Sequence, residues 1–203
     1  RLQLIKNTII MNVLLSKFTT KHNTAPFFQI NIEDYFPAFQ EGIVLAKAEI
    51  DAIVNNPEAP TFENTILAME FAGDILDRLS SVFFNLNSAE TNDEMQKIAQ
   101  DVSPLLSEFG NDITLNAALF AKIKAIYDQK ENLNLTPEQT TLLDKKYKSF
   151  TRNGANLPEE KKDQLREIDK ELSLLSLQFG ENVLAETNAC ELHLTNKDDL
   201  AGL

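Results

Sequence analysis

The chain has 203 residues and a net charge of −12, from 19 Lys and Arg against 31 Asp and Glu. A field of that sign repels phosphate groups, which argues against nucleic-acid binding and against binding to an anionic membrane. Hydrophobic residues make up 43% of the chain, and it has only 6 glycines and 7 prolines. These values argue against disorder and against an all-β fold, so the composition predicts a helical protein.

The first residues do not resemble a signal peptide, because RLQLIKNTIIM has neither a long apolar core nor a small-residue cleavage site. We interpret residues 1–11 as a non-native or processed leader, with a signal remnant as the alternative. Residues 12–30 are mostly polar around Pro26 and predict an extended lead-in. The remainder, residues 31–203, is predicted to form the helical domain.

Apolar residues spaced three and four apart predict six helices in that domain. Thr61 is a predicted N-cap, and Thr136 followed by Pro137 and Gln139 gives the most specific start signal in the chain. Gly110 is a predicted C-terminal stop. The six predicted helices span residues 33–54, 62–87, 92–109, 117–130, 137–153 and 159–188.

The periodicity changes after the sixth helix. Cys190, Leu192 and Leu194 alternate with polar residues, which is the spacing of a strand. The sequence therefore predicts an all-α fold, an elongated domain of about six helices, with a short strand from Cys190 to Thr195.

Three acidic residues, Glu70, Asp74 and Asp77, fall on one face of the predicted second helix. Carboxylate metal sites in helical bundles add a Glu-x-x-His motif, and no histidine is nearby. We interpret these residues as a solvated face on which Arg78 pairs with Asp74.

The remaining reactive side chains do not form a ligand set. His22 and His193 are far apart in sequence, and a zinc site needs three or four ligands, so structural or solvent-facing roles are expected for both. Cys190 has no histidine or basic neighbour in sequence, and we expect it to be buried as a small apolar side chain. Gly42, Gly73 and Gly180 interrupt predicted helices, which favours close helix contacts, with backbone that faces a substrate as the alternative.

Four stretches of the sequence resemble a known family. They are FPAFQEGI at 36–43, PTFENT at 60–65, FFNLNSAETN at 83–92, and RNGANL at 152–157 with its continuation to residue 182. In this order and spacing they are similar to the N-terminal region of peptidyl-dipeptidases (dipeptidyl carboxypeptidases), which are relatives of oligopeptidase A and thimet oligopeptidase. The resemblance covers residues 12–203.

The resemblance implies a zinc metallopeptidase that cleaves short peptides in a deep channel between two largely helical halves. The family holds zinc through a His-Glu-x-x-His helix and a downstream Glu, where the first Glu activates the metal-bound water. Neither histidine of this chain is followed by Glu. We therefore assign no catalytic, cofactor-binding or metal residue here, and expect zinc only in the full-length parent enzyme.

The resulting hypothesis is that the chain forms one wall of the substrate channel of a cytoplasmic or, alternatively, periplasmic peptidase. Its expected partners are short peptides and the C-terminal catalytic part, with no nucleic acid or membrane. A non-enzymatic helical scaffold or interaction domain is the alternative, and an inactive truncated gene product is a third. If the hypothesis is right, an apolar patch should be exposed on the C-terminal half of the sixth helix and on the strand.

Overall fold

The computed structural model describes residues 12–200, and the predicted leader, residues 1–11, lies outside that range. Within it, six helices have eleven or more residues and another has a single turn, so the prediction of an all-α fold with about six helices is confirmed. The helices are α1 (Tyr35–Val54), α2 (Ala68–Phe71), α3 (Asp74–Ala89), α4 (Asp93–Thr114), α5 (Ala117–Tyr127), α6 (Pro137–Arg152) and α7 (Glu159–Ala189).

Three helices, α4, α5 and α6, begin after polar residues whose side chains accept hydrogen bonds from the first free backbone N–H groups. Asn92 accepts from the Met95 N–H, and Thr136 forms a reciprocal capping box with Gln139 at the start of α6. A second capping box, between Thr61 and Asn64, begins the π-helical segment Phe62–Leu67 that leads into α2. Such bonds satisfy donors that the helix itself cannot satisfy.

Residues before α1 form short 3₁₀ turns joined by extended backbone, at Val13–Leu15, Lys21–Asn23, Phe27–Gln29 and Ile32–Asp34. This segment is attached to the helices at defined points. Leu14 is fully buried, and the Asn12 amide donates to the Asp34 carbonyl at 2.7 Å. The Arg78 guanidinium of α3 donates to the Ser16 carbonyl at 2.9 Å.

Within residues 12–200 the buried apolar side chains form two separate cores, and α1 contributes to both. The first half of α1 packs with α3, α4 and Leu14, around a cluster in which the rings of Tyr35 and Phe39 lie 5.0 and 5.4 Å from that of Phe83. The second half of α1 packs with the π-helical segment, α5 and α6. A Cβ on Gly42 would lie 3.3 Å from Leu76 Cδ1, so this glycine does mark a close helix contact.

Two predicted helix boundaries are wrong. The predicted helix 62–87 is broken at Gly73, which has φ +86° and donates its N–H to the Glu49 carboxylate of α1 at 2.7 Å. The predicted stop at Gly110 does not end α4, which continues to Thr114. Gly110 does not have a positive φ, and the hydrogen bonds of α4 continue through it. At Gly73, by contrast, the backbone is in the left-handed region, which glycine adopts readily, and the hydrogen bond to Glu49 holds it there.

The predicted strand from Cys190 to Thr195 is also wrong. The backbone is extended at Cys190, but no strand is assigned anywhere in residues 12–200. A strand needs a partner for its N–H and C=O groups, and the described part of the chain offers none to this segment.

Candidate functional site

Helix α7 differs from the other helices because it contributes almost nothing to either core. It has 31 residues and begins after Pro158, with Glu159 and Glu160 in its first turn, where carboxylates interact favourably with the helix dipole. Its one buried residue in the described range is Lys162, and Leu177 is partly buried against the first core. A long helix that exposes most of its side chains is a candidate for an interaction surface.

The first turns of α7 are attached to α4 by a buried lysine. Lys162 is 4% exposed, and its Nζ donates to the Leu115 carbonyl at 3.0 Å and to Glu159 Oε1 at 2.9 Å. Leu115 is the C-cap residue of α4, so the ammonium group satisfies a carbonyl at the negative end of that helix. This contact fixes the beginning of α7 against the end of α4.

A charge cluster lies beside this contact and joins three helices. The Asp112 carboxylate of α4 accepts from Lys47 of α1 at 2.7 Å and from Arg166 of α7 at 2.8 Å. Partial burial acts to raise the pKa of Asp112, but hydrogen bonds from Lys47 and Arg166, together with their positive charges, outweigh burial and lower the pKa below its ordinary value. Asp112 therefore stays ionised and links α1, α4 and α7.

The second half of α7 runs antiparallel to α4 and encloses a groove. Gln100 of α4 donates to both carboxylate oxygens of Glu181 at 3.0 and 3.1 Å. Between this contact, the end of α3 and the start of α4 lies a cavity of about 550 Å³. We call it the α3–α7 groove; its lining is mostly amide, hydroxyl and small side chains: Asn87, Ser88, Ala89, Glu90, Thr91, Gln96, Ser176, Leu177, Gly180, Glu181, Leu184 and Asn188.

On its other side α7 carries a row of exposed apolar residues. Their exposed fractions lie between 49% and 71%. We call this row the α7 stripe; it consists of Ile168, Leu172, Leu175, Phe179 and Val183. Leu175, Phe179 and Val183 lie in the C-terminal half of the last helix, where the sequence predicts an exposed apolar patch, whereas Ile168 and Leu172 lie in its first half.

The acidic residues singled out from the sequence do not form a joint site. The break at Gly73 separates Glu70 from the other two, and Glu70 pairs with Lys146 at 2.6 Å. Asp74 and Asp77 are exposed, as expected for a solvated face. The predicted Arg78–Asp74 pair is wrong. Arg78 instead turns toward the lead-in, as described above, and lies 4.7 Å over the Phe18 ring.

The predicted interior position of Cys190 is wrong as well, because its side chain is exposed just after α7 ends. His193 is exposed and contacts Glu191 at 2.9 Å, whereas His22 lies in the turn Lys21–Asn23 of the lead-in. Gly180 does not mark a close contact, since a Cβ there would meet nothing within 4 Å.

Among residues 12–200, no group of three or more His, Cys, Asp and Glu side chains is arranged to hold a metal ion. The residues described here therefore do not fit a zinc site, and we derive no chemical step through zinc from them. None of the helices in the same range is both long and apolar enough to cross a bilayer.

The two attachments of α7 could not be read from the sequence. Lys162 and Glu159 have helical i, i+3 spacing, which is ordinary on a helix surface and does not indicate burial. Asp112 is one of many acids in an acidic chain. Their roles become visible only in the structure, where α7 packs against α4 and brings Lys162 to the Leu115 carbonyl and Arg166 to Asp112.

Comparison with known proteins gives a consistent set of relatives, although no family model matches the chain. The dipeptidyl carboxypeptidase of Salmonella typhimurium is 40% identical over 95% of this chain, and oligopeptidase A of Haemophilus influenzae is 32% identical over 88%. An organellar oligopeptidase A of Arabidopsis thaliana is 26% identical over 97%. The chain spans 28%, 26% and 24% of the length of these three relatives.

Proposed function

We propose, from the membership of this chain in the family of dipeptidyl carboxypeptidases and oligopeptidases A, that it is the N-terminal helical part of a peptidase that cleaves short peptides. The observation that carries the proposal is the 40% identity over 95% of the chain. Since the chain spans 28% of that relative, we place the catalytic chemistry, including a zinc site, in the rest of the protein.

We propose further that the chain contributes a wall of the substrate channel, and that the α3–α7 groove is part of that wall. Amide and hydroxyl side chains make up half of the residues that line the groove, among them Asn87, Ser176 and Asn188. Such groups both donate and accept hydrogen bonds, which suits contact with the backbone of peptides of varied sequence. Glu90 and Glu181 add negative charge to the same lining. Helices on both sides of the groove favour extended, unfolded peptides over folded proteins.

The compartment we propose is the cytoplasm, with the periplasm as the alternative. A single cysteine cannot form an internal disulfide, so nothing in these 203 residues requires an oxidising environment.

The complete reading frame tests the peptidase proposal most directly. We expect it to encode a His-Glu-x-x-His sequence after Leu203, and we expect the purified full-length protein to release a C-terminal dipeptide from an N-acylated tetrapeptide. A zinc chelator should abolish this release and added Zn²⁺ should restore it. A reading frame that stops at Leu203, or a full-length protein without zinc-dependent hydrolysis, would instead support the helical scaffold.

The channel wall needs its own test in the full-length enzyme. Ser176→Trp places a large ring in the groove, whereas Gln178→Trp places the same ring on another side of α7, because two residues turn a helix by about 200°. We expect Ser176→Trp to lower kcat/KM at least tenfold and Gln178→Trp to change it less than twofold. Equal effects of the two variants would show that the groove does not border the path of the substrate.

A further inference from the structure

The α7 stripe has the form of a helix-packing surface. Its residues, Ile168 to Val183, follow one another at intervals of four, three, four and four. At about 100° per residue this spacing places all five side chains within a sector of about 80°. They form one continuous apolar row about four turns long.

The stripe points away from the rest of the described chain. Arg166, Leu177 and Glu181 of α7 contact α4 or the first core. By the same rotation these three residues lie on the side of the helix opposite the stripe. The contacts that hold α7 in place therefore leave the stripe uncovered.

The exposed fractions show how much surface is involved. Phe179 is 71% exposed, and the other four residues of the stripe are about half exposed. Single exposed apolar residues are ordinary, but a continuous row of them marks an interaction surface. Removing such side chains from water is favourable in proportion to the apolar area that is buried. Leu192, which follows α7 in sequence, is also exposed, at 81%.

We propose that the α7 stripe docks an apolar helix face from the part of the longer polypeptide that follows these 203 residues. The inference rests on the proposed function, in which this chain is one part of a larger peptidase. The curated relatives support it, because this chain spans only 28% of the length of the Salmonella dipeptidyl carboxypeptidase. A large further part of the polypeptide is then available to cover the stripe.

The size of the stripe favours an occupant on the same polypeptide over a second copy. A stable interface between separate proteins buries about 800 Å² on each partner. Five half-exposed side chains on one helix provide less than that, and a separate partner must also offset lost translational and rotational freedom. A segment joined to this chain is already at high local concentration, so a small apolar contact suffices.

Hydroxyl-radical footprinting with mass spectrometry tests the proposal on single side chains. Phe179 in the stripe and Phe71 at the end of α2 are matched probes, since they are 71% and 70% exposed. We compare the 203-residue chain, at concentrations where it sediments as a monomer, with the full-length protein. The expected result is equal oxidation of the two rings in the chain alone, and at least fivefold less oxidation of Phe179 in the full-length protein.

Other outcomes would overturn the proposal. If Phe179 is oxidised equally in the two proteins, nothing after Leu203 covers the stripe. If Phe179 becomes protected only as the concentration of either protein rises, a second copy is the occupant. Peptide hydrolysis by the same full-length sample separates this proposal from the proposed function, because protection of Phe179 without hydrolysis would leave docking intact and remove the peptidase.

Discussion

The body of the protein, α1 to α6, and helix α7 are held in place by different forces. The body buries two apolar cores that contain whole aromatic clusters, and α1 connects them. Helix α7 has 31 residues but buries only Lys162 in the described range. It is held by hydrogen bonds and charges, at Lys162, Asp112 and Glu181. In this chain, hydrophobic burial stabilises the body, whereas polar contacts position α7 and leave its apolar stripe free.

The largest expected effect is the difference in stability between removing a phenylalanine from the body and removing one from α7. Phe83 is fully buried among Tyr35, Phe39 and Phe84, so Phe83→Ala should lower the free energy of unfolding by about 3–5 kcal/mol. Phe179→Ala removes the same atoms from an exposed site and should change it by less than about 0.5 kcal/mol. Urea denaturation followed by far-UV circular dichroism measures both. A loss above 1 kcal/mol in Phe179→Ala would show that the stripe is covered within this chain.

The next effect tests the attachment of α7 to α4. Lys162→Ala leaves the Leu115 carbonyl without its donor in a buried position, which should cost about 1–3 kcal/mol. Lys161→Ala is the matched control, because that neighbouring lysine is exposed and contacts only Gln164. The control should lie within about 0.5 kcal/mol of the wild type in the same denaturation experiment. Equal losses in the two variants would mean that the buried ammonium group does not hold α7.

A smaller, pH-dependent effect is expected at Asp112. Its pKa is lowered in the folded protein, so its ionised form contributes stability above the pKa of the unfolded chain, about 3.9, and this contribution is lost as the pH falls through the folded pKa. Because the cluster is about one-third exposed, Asp112→Asn should cost only about 1 kcal/mol at pH 7.

The difference between Asp112→Asn and the wild type should therefore shrink below about pH 4. The control is Asp101→Asn, which removes an exposed pair with Lys97 within α4 and should have little effect at any pH. A difference at Asp112 that grows on acidification would contradict the proposed role of the carboxylate.

The sequence predicts the helices well where local chemistry decides. The signal at Thr136, Pro137 and Gln139 gives the start of α6 to the residue, because a capping box and a proline at the first helical position act within a single turn. The exposed apolar side chains of the last helix were also predictable, since six helices of this length leave the longest one with more apolar positions than its neighbours can cover.

Features that depend on distant contacts were not predictable. Gly73 leaves the helical conformation while its N–H bonds to Glu49, a residue 24 positions away in sequence. Alternation over Cys190 to Thr195 indicates a strand, but no partner strand exists in the described residues. The burial of Lys162 follows from the docking of α7 on the end of α4, and a lysine in a polar stretch gives no sign of it.

The smallest expected effect is the gain in stability when a helical glycine is replaced by alanine, and it tests whether α7 unfolds together with the body. Gly110 in α4 and Gly180 in α7 are matched, because both lie inside helices and a Cβ at either position would meet nothing within 4 Å. Alanine in a helix interior is favoured over glycine by about 0.5–1 kcal/mol.

Gly110→Ala should therefore raise the free energy of global unfolding by that amount, since the apolar face of α4 belongs to the first core. Gly180 lies in the half of α7 that is attached by the partly buried Leu177 and by the hydrogen bonds of Glu181, and segments with so little burial open locally before the whole protein unfolds. Gly180→Ala should then slow amide hydrogen exchange in the second half of α7 about two- to fivefold and leave the global free energy nearly unchanged. Equal gains in global stability from the two variants would show that α7 and the body form one cooperative unit, and that the polar contacts at Asp112 and Lys162 couple them along the whole helix.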